Sequence, residues 1–363
     1  MTVLHVVGAR PNFIKAAPVY GALRKTGFDQ ILVHTGQHYD AQMSDVFFRS
    51  LEIPAPDANL NVGSGSHAQQ TAAIMSKFEP VILGYKPDMV LVYGDVNSTV
   101  AAALVCAKLG IRIAHVEAGL RSFDREMPEE VNRLVTDQLS DFLFTPSSDA
   151  DENLKREGIA EEKICLVGNV MIDTLVQFLP KAEELFGDLK ERLSLNRFGL
   201  ITLHRPSSVD DHAVFLPMLK VLDDLSRDLP LIFPVHPRTR DRWSLELRQC
   251  NANLQVVEPL GYIEFLALQK HAAVVITDSG GIQEETTYLG TPCLTLRENT
   301  ERPITIASGT NVLIGHDWRM LREEFAKALN GHRKRNGPIP LWDGHASDRI
   351  AEILSRYSES ISS

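Results

Sequence analysis

Short runs of β-branched and other apolar residues alternate with helix-like stretches along almost the whole chain. Continuous apolar runs are typical of strands buried on both faces, and helices supply the crossovers that parallel strands require. The alternation therefore predicts parallel sheets covered by helices on both sides. The strand-like runs lie at 3–8, 30–35, 89–94, 111–116, 141–145, 163–168, 198–204, 229–236, 253–258, 273–278, 292–296 and 310–315.

The alternation occurs in two series, which predicts two domains. A chain of 363 residues is also too long for one ordinary hydrophobic core. The stretch AEELFGDLKERLSLNR between the two series has the polar composition of a connecting segment. We predict an N-terminal domain over 1–170 and a C-terminal domain over 171–345. We expect 346–363 to form an amphipathic helix that packs back on the N-terminal domain, with a frayed SESISS end.

Composition narrows the classes of partner. A net charge of −10 argues against nucleic acid or an anionic membrane as the main partner, although an anionic small molecule could still bind where cations are gathered. The sequence has no apolar run that could span a bilayer and no leader-like start, which predicts a cytoplasmic protein. The four cysteines are widely spaced, so we expect reduced thiols and no metal site.

Charged residues and histidines follow nearly every predicted strand. In doubly wound folds the loops after the strands hold the ligand, so these positions are candidates for chemistry. Two such domains place their ligand cleft between the carboxyl ends of both sheets, and we expect the active site there. A histidine inside a strand, such as His5, is instead expected to be a hydrogen-bonded core residue. The candidates are Arg10, Lys15, Asp95, Glu117, Glu129, His204, Arg205, His236 and Arg302.

The segment TDSGGIQEE at 277–285 combines a serine and two glycines with two glutamates. Glycines at a strand-to-helix corner let a ligand approach the backbone, and the N–H groups of a helix start favour an anion. Carboxylates at the same place would oppose a phosphate unless they faced other groups, such as sugar hydroxyls. An ordinary capped turn with an acidic first helical turn explains the segment equally well.

Eight motifs resemble those of one family in composition and order. They are GARPNFIKAAP, GDVNST, HVEAGLRS, MPEEVNR, LHRP, PVHP, DSGGIQEE and TERP. The set resembles the non-hydrolysing UDP-N-acetylglucosamine 2-epimerases from residue 3 to about residue 315. The resemblance implies two doubly wound Rossmann-like domains in a GT-B-type arrangement, usually as a homodimer. It also implies interconversion of UDP-N-acetylglucosamine and UDP-N-acetylmannosamine for polysaccharide precursor supply, without metal or nicotinamide cofactor.

The resemblance also implies roles for individual residues. Asp95, Glu117 and Glu129 match the acid/base carboxylates of the family, and His204 is counted with them as catalytic. The diphosphate would lie on the Ser279-Gly280-Gly281 corner, and Glu285 would accept hydrogen bonds from the ribose hydroxyls. Leu260 and Phe265 match the uracil-binding positions. The residues implied in holding the nucleotide sugar are Arg10, Lys15, His204, Leu260, Phe265, Ser279, Gly280, Gly281, Glu285 and Arg302.

The implied reaction has a chemical logic. The hydrogen at C2 of the sugar is far from acidic, because its neighbour is an acetamido nitrogen and not a carbonyl. If UDP leaves from C1 as C2 loses its proton, the negative charge passes to a diphosphate that the site already stabilises. Re-addition of UDP to the resulting 2-acetamidoglucal, with protonation of the other face, requires more than one acid/base group. Clustered carboxylates in a closed cleft would raise one another's pKa, so that one could act as an acid near neutral pH.

Several alternatives stay open. A GT-B glycosyltransferase shares the implied fold, a hydrolysing epimerase would release free sugar, and a nucleotide-sugar sensor would need no catalytic carboxylates. Many relatives carry a second arginine after the His-Arg pair, and many carry a glutamate after TERP. This chain has Pro206 and Ile304 at those positions. A modified substrate such as a UDP-diacetamido uronic acid therefore also stays open.

The resemblance bears on regulation as well. Relatives that are activated by their substrate contact a second UDP-N-acetylglucosamine through a Gln-His pair, a further glutamine and that second arginine. This chain keeps Gln37 and His38, and also His236. However, Val46 stands where the further glutamine is expected, and Pro206 replaces the arginine. We therefore predict weak or absent activation, unless Gln42 and Arg205 take over the lost contacts.

Overall fold

Two parallel sheets organise the chain, each in its own unit. The computed structural model describes residues 1–37, 51–205, 209–235, 237–332 and 337–362. Unit 1 comprises Met1–Thr174 and Pro340–Ser363, and unit 2 comprises Leu175–Ile339. The predicted alternation of strands and helices is confirmed in both units, with strand ends that differ from the predicted ones by one or two residues.

The sheet of unit 1 has seven strands in the order β3-β2-β1-β4-β5-β6-β7, and every pair is parallel. Its strands are β1 (Thr2–Val7), β2 (Asp29–His34), β3 (Ala58–Asn59), β4 (Met89–Tyr93), β5 (Arg112–Val116), β6 (Phe142–Thr145) and β7 (Ile164–Leu166). Its helices are α1 (Arg10–Lys25), α2 (His67–Tyr85), α3 (Asn97–Leu109), α4 (Pro128–Leu139) and α5 (Ser148–Arg156), and α6 (Val170–Arg192) leads into unit 2.

The core of unit 1 shows why its strands are apolar throughout. All five residues of β4 are buried, because helices cover both faces of the sheet. On α2 the buried residues Ile74, Phe78 and Ile82 recur every fourth position and form one stripe. Burial of a side chain such as Phe78 stabilises the fold by roughly 1.5–3 kcal/mol. The terminal helix α14 (Ala346–Ser362) packs against α1.

The sheet of unit 2 has six parallel strands in the order β10-β9-β8-β11-β12-β13. Its strands are β8 (Gly199–Thr202), β9 (Leu231–Pro234), β10 (Leu254–Val257), β11 (Val275–Thr277), β12 (Cys293–Thr295) and β13 (Asn311–Leu313). Its helices are α7 (His212–Leu225), α8 (Pro237–Arg242), α9 (Ser244–Gln249), α10 (Tyr262–His271), α11 (Gly280–Leu289), α12 (Pro303–Ala307) and α13 (Trp318–Leu329).

The structure corrects three details of the sequence analysis. The supposed connecting stretch is helical as far as Arg192, because Ala182 and Leu189 pack into the protein and make the segment amphipathic. The end that we expected to fray remains helical to Ser362. The short edge strand β3 was not predicted, since two residues carry no periodicity.

None of the helices in the described ranges is long and apolar enough to cross a membrane.

Candidate active site

The direction of chain progression reverses at one point in each sheet. In unit 1 the reversal lies between β1 and β4, and in unit 2 it lies between β8 and β11. A crevice opens at such a point because the loops after the two strands lead to opposite faces of the sheet. Asp95 follows β4 in unit 1, while His204 and Ser279 follow β8 and β11 in unit 2. These three predicted site residues therefore lie at the reversal points of the two sheets.

An enclosed ion pair lies at the reversal point of unit 1. The Nζ atom of Lys15 is 2.5 Å from Oε1 of Glu117, and both side chains are buried. Gly94 makes this approach possible, because a Cβ atom on that residue would stand 2.7 Å from the Lys15 Nζ atom. Gly94 also has a φ of +59°, which glycine adopts without steric cost.

The backbone of Glu117 is strained. Its φ of +74° lies in the left-handed region, which is costly for a residue with a side chain. The N–H groups of Glu117 and Ala118 both donate to the carbonyl of Phe144 at 3.1 Å, which fixes this turn. Strain of this kind persists where the surroundings impose it, and it is frequent at functional sites.

Arg133 binds the second predicted carboxylate. Its Nε and Nη2 atoms lie 3.0 and 2.7 Å from Oδ2 of Asp95, and its Nη1 atom lies 2.5 Å from Oε2 of Glu130. Asn132 donates to the carbonyl of Asp95 at 2.8 Å. Glu129, one helical turn before Arg133, is half-buried in the first turn of α4. Arg133 and Asn132 therefore hold α4, and Glu129 with it, against the loop that carries Asp95.

The three predicted carboxylates are thus gathered in one region of unit 1. Asp95 and Glu117 follow the neighbouring strands β4 and β5, and α4 brings Glu129 to the same loop. Arg133 was not predicted to have a role, although it ends the motif MPEEVNR. The usable signal was the spacing, because three and four residues on a helix place Glu130 and Glu129 on the same face as Arg133.

In unit 2 a buried aspartate holds the ring of His204. The Nδ1 atom of His204 lies 3.0 Å from Oδ1 of Asp278, while 59% of the His204 side chain remains exposed. Asp278 also accepts the backbone N–H groups of His204 and Arg205. Burial alone would raise the pKa of Asp278, but these hydrogen bonds lower it. This arrangement directs Nδ1 to Asp278 and leaves Nε2 for a ligand. Asp278 was not predicted to be a site residue.

The glycine corner of unit 2 is an open helix start. Helix α11 begins at Gly280, and within the described chain the Ser279 side chain makes no capping hydrogen bond. A Cβ atom on Gly280 would stand 2.5 Å from Nη1 of Arg302, so the guanidinium packs directly over the corner. Arg302 also pairs with Glu284, whose Oε1 lies 3.0 Å from its Nε atom, and with Glu301. The N–H groups of a helix start beside an arginine are suited to an oxyanion.

Glu285 lies one turn further along α11 and is almost wholly buried. Its Oε1 accepts the hydroxyl hydrogen of Tyr262 at 2.9 Å, and its Oε2 accepts the amide of Gln269 at 2.9 Å. Burial, reinforced by the nearby charge of Glu284, raises the pKa of Glu285 to about 7. Two donors therefore orient this carboxyl group, and it changes charge near neutral pH.

Comparison with known proteins identifies the family. The family described as UDP-N-acetylglucosamine 2-epimerase matches residues 22–355. The UDP-N-acetylglucosamine 2-epimerase of Methanocaldococcus jannaschii is 43% identical over 96% of this chain and 98% of its own. The chain belongs to the UDP-N-acetylglucosamine 2-epimerase family. It is accordingly an enzyme of the isomerase class.

Solved structures of other family members agree with this assignment. The M. jannaschii epimerase in complex with UDP-GlcNAc and UDP superposes with a TM-score of 0.92 and covers 98% of this chain and 100% of its own at 43% identity. The Neisseria meningitidis epimerase bound to UDP-GlcNAc gives a TM-score of 0.90 at 32% identity, covering 98% of this chain and 100% of its own. The expected pair of Rossmann-like parallel-sheet domains is thereby confirmed.

One similar protein of the family carries a different name. The UDP-2,3-diacetamido-2,3-dideoxy-D-glucuronate 2-epimerase of Pseudomonas aeruginosa is 42% identical over 98% of this chain and 100% of its own. This sequence identity is close to the 43% of the M. jannaschii epimerase. Overall similarity therefore establishes the epimerase family but leaves two substrate classes.

The remaining predicted residues of the epimerase are placed as follows. Leu260 and Phe265 are half-buried on either side of the start of α10, and their match to uracil-binding positions stays a prediction. Arg10 opens α1, but its side chain lies outside the described part. His5 is a buried core histidine, as expected. Among the described residues, no cluster of His, Cys, Asp and Glu could hold a metal ion.

The residues of the predicted effector site are only partly described. His38, Gln42, Val46, Pro206 and His236 lie outside the described residues. Gln37 is described and buried. Its Oε1 accepts hydrogen bonds from the backbone N–H and the hydroxyl of Ser98, at 3.0 and 2.7 Å.

Proposed function

We propose that this epimerase interconverts UDP-N-acetylglucosamine and UDP-N-acetylmannosamine by elimination and re-addition of UDP. The observation that carries the proposal is the buried Lys15–Glu117 pair at Gly94, at the same end of the sheet as Asp95, whose loop is held to the helix that carries Glu129. A group of carboxylates fixed by cations and backbone contacts supplies the acid and base that this chemistry needs.

The nucleotide is assigned to residues of unit 2. The N–H groups at Gly280 and Gly281 and the guanidinium of Arg302 would bind the diphosphate. Glu285 would accept the ribose hydroxyls, and Leu260 and Phe265 would contact the uracil. His204, oriented by Asp278, would contact the diphosphate or the departing oxygen through its Nε2 atom.

The acid/base chemistry is assigned to residues of unit 1. One carboxylate takes the proton from C2 while the C1–oxygen bond breaks and its electron pair leaves with UDP. A double bond forms between C1 and C2, which gives the 2-acetamidoglucal. A second carboxylic acid then protonates the opposite face of C2 as UDP adds back to C1. The helix start at Gly280 and Arg302 would stabilise the charge that develops on UDP.

A second substrate has specific support. The P. aeruginosa relative named for the 2,3-diacetamido glucuronate sugar is 42% identical to this chain, against 43% for the M. jannaschii protein. We keep this UDP-diacetamido uronic acid as the alternative substrate. Membership of the epimerase family favours both candidates over a glycosyltransferase of the same fold. We also propose a homodimer, which light scattering would test.

The decisive experiment offers each UDP-sugar in deuterated water and follows the product by NMR. We expect inversion at C2 with deuterium in the product, and slow release of UDP and the glucal. A product that keeps its original C2 hydrogen would sink the elimination mechanism. Free N-acetylmannosamine would instead identify a hydrolysing enzyme. The sugar that turns over with the higher kcat/KM identifies the substrate class.

A further inference from the structure

Side chains hold three consecutive carbonyl groups at the reversal point of unit 1. These carbonyls belong to Tyr93, Gly94 and Asp95, which link strand β4 to the candidate catalytic loop. The donors are Asn12 and Thr99 for Tyr93, His115 for Gly94, and Asn132 for Asp95, each at 2.8 Å. Functional side chains are placed precisely only when contacts of this kind fix the backbone that carries them.

His115 is unlike the other donors because its second contact is to a carboxylate. The ring is wholly buried; Nε2 lies 2.8 Å from the Gly94 carbonyl and Nδ1 lies 2.6 Å from Oδ1 of Asp137. A carbonyl oxygen can only accept, so Nε2 must carry a hydrogen. If Asp137 is ionised, Nδ1 must carry one as well, and the ring is an imidazolium.

The surroundings of Asp137 favour its ionised form. Its Oδ2 accepts Nη2 of Arg121 at 2.7 Å and the backbone N–H of Gly119 at 3.1 Å. Burial alone would raise the pKa of Asp137, but His115 and Arg121 together lower it. Arg121 in turn forms a two-point contact with Glu157, at 2.8 and 2.6 Å. A charged chain of side chains therefore runs from Glu157 to the carbonyl of Gly94.

His5, on β1 of the same sheet, shows what an ordinary core histidine looks like here. It is equally buried, and it contacts the Tyr93 hydroxyl at 2.6 Å and the Gln30 side chain at 2.9 Å. Both partners are uncharged, and burial lowers the pKa of His5 to about 4, so its ring is neutral. His115 differs in having a carboxylate on one side and a loop carbonyl on the other.

We propose that His115 is a positioning residue of the epimerase: as an imidazolium held by Asp137, it fixes the Gly94 carbonyl and thereby the placement of Asp95 and Glu117. The roles of these two carboxylates are those of the proposed function, on which this inference rests. Gly94 packs against Lys15 and Glu117 on one side and precedes Asp95 on the other. A shift of this one residue therefore displaces both carboxylates.

Two substitutions of His115 test the contacts of its two ring nitrogens one at a time. In His115→Asn the amide nitrogen takes the position of Nδ1, which keeps the contact with Asp137 and loses that with Gly94. In His115→Gln the amide nitrogen reaches the position of Nε2, which keeps Gly94 and leaves the buried Asp137 without this donor. Loss of a donor to a buried charge destabilises more than loss of a donor to a carbonyl. His115→Gln should therefore have the lower thermal midpoint.

Activity should follow the opposite order. We expect His115→Asn to lower kcat by about 10-fold or more, since small displacements of catalytic groups cost up to roughly 10²-fold. His115→Gln should retain most of the wild-type kcat, and UDP affinity should be unchanged in both. His5→Gln serves as the matched control, a buried histidine whose replacement lowers the thermal midpoint and leaves kcat intact.

If kcat falls in the same order as the thermal midpoint, so that His115→Gln is the less active variant, then His115 has only a structural role. NMR of the ¹⁵N-histidine-labelled wild-type enzyme gives a readout besides activity, because an imidazolium has hydrogen on both nitrogens. One unprotonated nitrogen on His115 would overturn the charged assignment. Failure of the proposed function would appear separately, as absence of epimerisation by the wild-type enzyme.

Discussion

The Nδ1 atom of His204 lies 3.0 Å from Oδ1 of Asp278, so a buried carboxylate sets the orientation of an exposed imidazole. Asp278→Asn keeps the shape but removes the charge that holds this ring in one tautomer. We expect kcat to fall by about 10-fold or more, as when the aspartate of a histidine pair is neutralised.

A double-mutant cycle with His204→Ala checks that prediction. If Asp278 acts through the ring, the double variant should be no worse than His204→Ala alone, because the two residues form one unit. Additive losses would mean that Asp278 serves the fold through the backbone N–H groups it accepts.

Substitutions of the unit 1 carboxylates should lower turnover, whereas substitutions of the unit 2 binding residues should weaken nucleotide binding. Glu129→Gln removes a proton carrier and keeps its shape, so we expect turnover to fall by about 10² or more with UDP affinity nearly intact. Glu117→Gln should do the same, but it also leaves the buried Lys15 without its carboxylate and should lower stability.

Substitutions in unit 2 provide the comparison. Arg302→Ala and Glu285→Ala should weaken UDP binding, which calorimetric titration measures directly. Equal affinity losses for the unit 1 and unit 2 variants would contradict the division into catalytic and nucleotide-binding residues.

Glu285 should make stability depend on pH near neutrality. Burial raises its pKa from 4.5 to about 7 in the folded protein, so folding favours the protonated form. The stabilisation is complete below about pH 4.5 and is lost as pH rises through 7, a change of about 3 kcal/mol in the free energy of unfolding. The difference between wild type and Glu285→Gln, measured by denaturant unfolding without ligand, should follow this course.

The exposed Glu161 offers a control, since Glu161→Gln should leave the pH profile unchanged. A wild-type profile parallel to that of Glu285→Gln between pH 4.5 and pH 8 would refute the assignment of this proton to Glu285.

The sequence predicted where strands and site residues lie better than it predicted which residues contact one another. The apolar runs located the sheets because strands covered on both faces have no polar side, and the motifs located residues at strand ends. Asp278, Tyr262 and His115 were missed as functional partners, because each acts on a residue that is distant in sequence, and only Arg133 had a local signal in its spacing from Glu130. The left-handed backbone of Glu117 was likewise hidden, since it is imposed by the carbonyl of Phe144.

Regulation by substrate should be weak. Val46 and Pro206 cannot replace the hydrogen bonds and charge that relatives offer a second nucleotide sugar, and Gln37 is engaged by Ser98. A charge-assisted contact to phosphate is worth roughly 1.5–3 kcal/mol, so its loss costs about tenfold or more in effector affinity. We expect hyperbolic kinetics and a reverse reaction from UDP-N-acetylmannosamine alone.

Initial rates in both directions provide the measurement. A sigmoidal curve, or a reverse reaction that is silent until UDP-N-acetylglucosamine is added, would show that Gln42 and Arg205 replace the missing groups.

The return of the last helix to unit 1 has a consequence for synthesis on the ribosome. Asp173 accepts the N–H groups of Ala346 and Ser347 at 3.1 and 2.6 Å, and α14 covers α1. Unit 2 is continuous in sequence and can fold once residue 339 has emerged, whereas unit 1 lacks its closing helix until residue 362 has emerged. The unit whose synthesis begins first is therefore completed after unit 2, and its uncovered α1 face is what a nascent-chain chaperone would meet.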